Sequence, residues 1–396
     1  MSAGIHQNVI MTEKPALDLL QDLVAFDTTS RHSNLELIEY VIAHLESHQI
    51  PFELTHREDR KKANLFATLG DSNAPGIVLS GHTDVVPVDG QDWSSDPFQT
   101  EVRGSRLYGR GVTDMKGFVA LCLSRVEHIL QADLPIPIHL AFSYDEEVGC
   151  LGVPKLLDRL KHRSVQPKAC IVGEPTNLYP VRAHKGMFFK RCHVHGKSAH
   201  SSLVDQGVNA VTVAAKIITK VDQIQQHIVK NGPFDETFDP PYTSLHCGVI
   251  HGGTVNNIIP SHCQFDFEIR ALPDEQPEKL FEELRAYIDA EILPNMQAID
   301  QKTGIEWQNL AEFPSMNTLQ DDPIIKLVSE ILGIESLAGK VSYGTEGGHF
   351  QKHGIPTVIC GPGNIEQAHK PDEFIELEQI EKGGQFLDNL IRTLKR

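Results

Sequence analysis

Apolar residues at Leu35, Ile38, Ile42 and Leu45 recur at helical spacing, whereas residues 63–69 and 76–80 are short apolar runs of the kind buried strands show. The alternation continues: residues 116–130 read as a helix, and 137–143 and 169–173 as strands. Strands separated by helix-length segments predict an α/β fold, a mostly parallel twisted sheet with helices on both faces. In such a sheet, groups that bind ligands belong at the strand ends.

From about Gly186 the pattern changes to strand (187–194), helix (208–228), two strands (243–250 and 262–272), helix (277–292) and strand (305–313). This order predicts an inserted α+β domain of ferredoxin-like kind over residues 185–313. Inside it, residues 231–242 carry Pro233, Pro240 and Pro241 and read as a surface loop, not a linker between domains. After Asp321 the first pattern resumes, with a helix over 324–332 behind Pro323, a strand over 356–360 and a closing helix over 377–394. The α/β domain is therefore expected to be discontinuous, built from 1–184 and 314–396.

A length of 396 residues favours two domains over a single core. With 53 acidic against 36 basic residues and a net charge of -17, the chain would repel phosphate backbones and anionic membranes, which argues against a nucleic-acid partner. No apolar run approaches the length that crosses a bilayer, and residues 1–11 lack the pattern of a signal peptide, so the cytoplasm is the expected location. The seven cysteines, odd in number and without a CxxC pair, fit neither a disulfide framework nor a thiolate zinc site, and most are read as buried apolar fillers.

Five clusters of acids and histidines follow predicted strands or sit in glycine-rich turns: Ser80-Gly-His-Thr-Asp84, Gly111-Val-Thr-Asp-Met-Lys116, Asp145-Glu-Glu147, Gly173-Glu-Pro-Thr176 and Ala368-His-Lys-Pro-Asp-Glu373. Zinc accepts imidazole nitrogen and carboxylate oxygen, and two-metal hydrolases need a carboxylate between ions about 3.5–4 Å apart. Among 20 histidines a single one is more often a surface or core residue than a ligand, so the weight rests on the combination.

In this order the clusters resemble the two-zinc family of aminoacylases, succinyl-diaminopimelate desuccinylases, glutamate-releasing carboxypeptidases and acetylornithine deacetylases, from about Leu17 to the last helix. The resemblance implies that His82 and Glu174 bind one zinc, that Glu147 and His369 bind the other, and that Asp114 bridges them, with cobalt as an alternative metal. It implies that Asp84 orients the His82 imidazole, that the Asp114-Met115 peptide is cis, and that Glu146 is the general base. Such a base takes a proton from the attacking water and delivers it to the departing amine, typically worth about 10²–10⁴ in rate.

Through Gly196-Lys-Ser-Ala-His200, Gly253-Thr-Val-Asn-Asn-Ile-Ile-Pro260 and Phe267-Glu-Ile-Arg270, the insert resembles the family's lid and dimerisation domain. That implies a homodimer in which His200 reaches the partner's active site as an oxyanion donor, with Asn257 nearby. A phosphate-loop reading of Gly196-Lys197-Ser198 fails because position 191 is Arg, and a dinucleotide reading of Gly109-Arg-Gly111 fails because position 114 is Asp. Arg270, at the end of an apolar strand, suits bidentate binding of a substrate α-carboxylate, with an internal salt bridge as its alternative. Gly344 and Thr345, in Gly344-Thr-Glu-Gly-Gly348, form a second candidate cradle for that carboxylate. Glu346 reads either as a charge facing a cationic substrate side chain or as a solvated loop acid.

The stretches Tyr343-Gly-Thr-Glu-Gly347 and Gly361-Pro-Gly-Asn-Ile-Glu-Gln-Ala-His-Lys-Pro-Asp-Glu373 most resemble the acetylornithine deacetylase branch. The implied reaction is hydrolysis of N-acetyl-L-ornithine in arginine biosynthesis. A family deacylase or carboxypeptidase acting on succinyl-diaminopimelate or a glutamate conjugate is the alternative, and a non-catalytic metal-binding relative is the alternative of a different class.

Overall fold

The computed structural model describes residues 14–395, so the expectation that residues 1–11 form no signal peptide lies outside the described residues. Its larger sheet runs, in spatial order, Phe52–His56, Ala63–Leu69, Ile138–Ser143, Ile77–His82, Ala169–Pro175, Thr357–Gly361, Val181–His184 and Met316–Asn317, with Gly339–Val341 also paired to Val181–His184. The four strands from Ile138–Ser143 to Thr357–Gly361 are mutually parallel, and antiparallel strands flank them on both sides. The expected parallel set is thus the centre of a mixed sheet. Neighbours along each strand pack into opposite cores: Leu65, Leu79, Ile171 and Val358 in one, Phe66, Val78, Val172 and Ile359 in the other. Burial on both faces explains why these strands read as continuous apolar runs.

A second, antiparallel sheet has the order Ser244–Gly252, His262–Ala271, Gly186–His195, Gly304–Phe313. Numbered along the chain this is 2-3-1-4, the ferredoxin-like order. Cys192, Val194, Phe265 and Phe267 pack on one face against Ile217 and Ile224 of helix Ala210–Asn231 and Leu284 of helix Pro277–Tyr287. The 231–242 segment is no linker. Lys340 pairs with Asp235, and Lys185 Nζ donates to the carbonyls of Pro240 and Tyr242 at 2.8 and 2.7 Å.

Two expected helices are interrupted. Residues 116–130 form Lys116–Leu123 and Val126–Gln131, and the break comes where Ser124 Oγ donates to the Leu121 carbonyl at 2.9 Å. The helix starting at Pro277 passes through a π turn, Ile288–Ile292, into Leu293–Gln297, because Pro294 has no N–H to continue the ladder. All seven cysteines are free, and six of them are buried.

Candidate active site

Because the central strands are parallel, their carboxyl ends lie at one edge of the sheet, and the chemistry-bearing residues gather there. His82 is the last residue of Ile77–His82, and Glu174 is the last but one of Ala169–Pro175. Glu146 and Glu147 follow Ile138–Ser143 after a turn at Asp145, whose φ is 57°. Asp114 immediately precedes Met115, the N-cap of helix Lys116–Leu123, and the Asp114-Met115 peptide is cis. His369 sits at φ 63° in the turn after Ile365–Gln367. A left-handed non-glycine residue is uncommon and concentrates at functional sites.

The two carboxylate oxygens of Asp114 face different histidines. Oδ1 lies 3.0 Å from His82 Nε2, and Oδ2 lies 3.3 Å from His369 Nε2. His82 Nε2 is also 3.6 Å from Glu174 Oε1, and His369 Nε2 is 3.0 Å from Glu147 Oε2. Candidate ligand atoms of His82, Asp114 and Glu147 lie within 4.8 Å of one another, as do those of His82, Glu146 and Glu174. His82 Nδ1 is 2.9 Å from the Asp84 carbonyl. A carbonyl only accepts, so Nδ1 carries a proton and Nε2 is the atom offered to the cluster.

Among the described residues, the ion pairs of Asp114, Glu147 and Glu174 are all with these two histidines. Burial, together with the charge of Asp114, pushes the Glu147 carboxyl up to about 7, and burial raises Glu146 and Glu174 well above the usual carboxylate range. Burial would also raise Asp114, but hydrogen bonds from His369 and His82 outweigh it and hold Asp114 low. Hydrogen bonds to Asp114 and Glu147 push His369 up to about 11. Carboxylates crowded this closely, with imidazoles between them, form a donor set suited to a borderline divalent cation, so the residues present fit a metal.

Asp84 does not orient His82 through its carboxylate, whose Oδ1 is 3.7 Å from Nδ1; its main-chain carbonyl does so. The carboxylate instead accepts the N–H of Glu146 at 3.1 Å, the N–H of Glu147 at 3.3 Å and the Ser30 hydroxyl at 2.7 Å, and so fixes the acidic turn. Glu346 is neither exposed nor solvated. It is buried beneath the cluster, accepting from Ser143 Oγ and from Ser80 Oγ at 3.3 Å.

Glu373 was missed as a functional residue although its motif was recognised. Its Oε1 accepts the N–H groups of Thr113 and Asp114 at 2.9 and 3.1 Å, and its Oε2 accepts Gly111 N–H and Arg110 Nη1 at 3.1 and 2.8 Å. Arg110 also donates to Gln91, whose Nε2 donates to the His369 carbonyl at 2.9 Å.

The insert residues stand apart from this cluster. His200 is exposed, its Nδ1 2.8 Å from Ser202 Oγ, and the Asn257 carbonyl accepts from Ser201 N–H at 3.0 Å. Arg270 pairs with Glu268, Nε to Oε1 at 2.5 Å, and its guanidinium lies 5.8 Å from the centre of the Phe313 ring. A Cβ on Gly344 would come within 1.9 Å of that ring, so close packing accounts for this glycine. Two N–H groups of the loop already have partners. Gly347 N–H donates to the buried Thr345 hydroxyl at 3.0 Å, and Gly348 N–H to His184 Nε2 at 3.2 Å.

Residues 78–393 match the family described as peptidase family M20/M25/M40. An acetylornithine deacetylase of Aliivibrio salmonicida is 37% identical over 336 residues, 84% of this chain and 85% of that protein. One of Pasteurella multocida is 33% identical over 385 residues, 95% and 97% of the two chains. The fold is shared with an M20 family metallo-carboxypeptidase of Sulfolobus solfataricus (TM-score 0.76, 18% identity, 96% of this chain and 99% of that one). It is also shared with a dinuclear metal-binding M20 peptidase of Bacillus subtilis (TM-score 0.65, 18% identity, 96% and 97%). A metal-suited cluster at the strand ends and a family match over most of the chain agree: this protein belongs to peptidase family M20/M25/M40 and is a hydrolase.

Proposed function

We propose that this protein is a two-metal amidohydrolase that removes the acyl group from an N-acylated amino acid, with N-acetyl-L-ornithine, cleaved to L-ornithine and acetate, as its substrate. The observation that carries the reading is the placement of Asp114, whose two oxygens face two separate histidine and glutamate pairs. His82 and Glu174 would hold one ion, His369 and Glu147 the other, and Asp114 both. Zinc or cobalt suits such donors. When bound, the ions supply Lewis-acid polarisation and lower the pKa of water to about 7.

Glu146 takes the proton from the attacking water on its carboxylate and delivers it to the departing nitrogen. In the metal-free protein burial raises its carboxyl above the usual range, and bound cations would favour the carboxylate form that the proton transfer needs. Arg270 receives the substrate α-carboxylate in exchange for Glu268. Segment 185–313 serves as lid and dimerisation domain between the two parts of the catalytic domain, 1–184 and 314–396. Its edge strand Ser244–Gly252 carries exposed Val249 and Ile250, with exposed Val204, Val255 and Ile258 close by, which supports a homodimer in which His200 and Asn257 act in the partner's site. Among the described residues no helix is long and apolar enough to cross a membrane. Biosynthesis of arginine in the cytoplasm is the role that accompanies this substrate.

The test is amine release by zinc- or cobalt-loaded protein from N-acetyl-L-ornithine, N-succinyl-diaminopimelate, N-acetylmethionine and a glutamate conjugate. The reading expects the highest kcat/KM for N-acetyl-L-ornithine. A higher value for another conjugate would discard the substrate and keep the chemistry.

A further inference from the structure

We propose that His193, His195 and His262, joined by Glu306, form a second metal site, for a zinc-class divalent cation, on the open face of the four-stranded sheet. Side chains alternate along a strand, and Cys192 and Val194 point into the helix-covered core, so His193 and His195 project together from the other face. The register places His262 directly opposite His195 on one neighbouring strand and Glu306 directly opposite His193 on the other. Three strands thereby bring three imidazoles and a carboxylate to adjoining positions.

The rings stand about an ångström farther apart than a bound zinc ion would hold them. With bonds of about 2.0–2.1 Å in a tetrahedral arrangement, bound imidazole rings have centres about 5 Å apart. Here the centres of His195 and His262 are 5.7 Å apart, those of His193 and His262 5.9 Å, and those of His193 and His195 6.4 Å. Glu306 Oε2 already lies 3.6 Å from His195 Nε2, and Gln308 Oε1 lies 3.4 Å from His193 Nε2, where it can orient that ring. Gly304, the other partner of His195, leaves its flank open: a Cβ there would meet nothing within 4 Å, so the exposed His195 and His262 rings have room to turn toward the half-buried His193.

The site is separate from the strand-end cluster. Gly149, two residues beyond Glu147, packs on Met187 and Ala311, at the opposite end of the strand that carries His195. Eight residues of extended chain between Met187 and His195 span about 26 Å. A cation held there would clip together three strands on the face opposite their packed core.

Metal-free protein would be equilibrated with Zn2+ at pH 7.5, where unbound imidazole is mostly neutral, freed of loosely held ions by gel filtration and assayed for zinc per chain by mass spectrometry. The His195→Gln/His262→Gln variant is expected to hold one equivalent less than the wild type, with unchanged kcat as the check on folding. His262→Gln alone is expected to weaken that equivalent at least tenfold. Equal zinc content in wild type and double variant would overturn the proposal, and joint loss of the equivalent and of activity would overturn the separation of the two sites. The difference between proteins does not depend on how many ions the strand-end cluster takes, so failure here leaves the reading of that cluster intact.

Discussion

The carboxylate of Glu373 accepts the main-chain N–H of Asp114 at 3.1 Å, across 259 residues of sequence. Through Arg110 and Gln91 the same side chain is connected to the carbonyl of His369, so one buried acid ties together two turns that supply candidate metal ligands. Glu373→Gln replaces one acceptor oxygen by an NH2 donor, which then faces N–H donors it cannot satisfy. Support of this kind is typically worth about 10–100-fold in metal affinity or activity. Metal affinity and kcat/KM are expected to fall together by that factor in Glu373→Gln, as read by competition with a chromophoric chelator and by initial rates.

Metal-free protein should lose stability as pH rises. Burial pushes both Glu147 and Glu346 up to about 7, above the ordinary glutamate value of 4.5. Between those values the folded state holds protons that the unfolded chain has released, so stability falls with increasing pH, and the part owed to these two carboxyls is complete above about pH 7. Thermal melts of the metal-free protein should therefore show a lower Tm at pH 8 than at pH 5.5. Saturating zinc should restore more of the Tm at pH 8, because cations stabilise the ionised carboxylates.

His200 gives a test that separates action across a dimer from action within one chain. His200→Ala is expected to lower kcat/KM by about 10²–10³, the usual cost of removing an oxyanion donor. If it serves the partner's site, co-refolding His200→Ala with Glu146→Ala restores activity, because one site of each mixed dimer then has both residues intact. No restoration in proven mixed dimers would place His200 in its own chain's site or outside the chemistry.

The Arg270 reading separates binding from turnover. Arg270→Lys retains a charge but loses the bidentate fork, and is expected to raise KM at least tenfold with a smaller change in kcat. Glu268→Gln removes the competing partner 2.5 Å away and is expected to lower KM. Initial rates over a range of substrate concentrations read both effects.

What the sequence made legible is what local pattern controls. His82, Asp114, Glu147, Glu174 and His369 each lie at a strand end or in a turn, and the parallel centre of the sheet brings strand ends together whatever the intervening lengths. The support residues were not legible in the same way. Glu373 and Glu346 work through hydrogen bonds to Asp114 and Ser143, 259 and 203 residues away, and nothing in the local pattern marks an acid as buried and paired. The close approach of Phe313, which requires glycine at 344, lies outside what the local pattern shows. The three-stranded sheet of Glu101–Arg103, Arg106–Tyr108 and Phe374–Glu376 went unseen because three-residue strands are too short to show a period.

The most direct test of the account is the hydrolysis rate of metal-loaded Glu146→Gln beside its metal content. The account predicts a full complement of metal and a kcat lower by at least about 10². Turnover within a few-fold of the wild type, with metal bound, would contradict it.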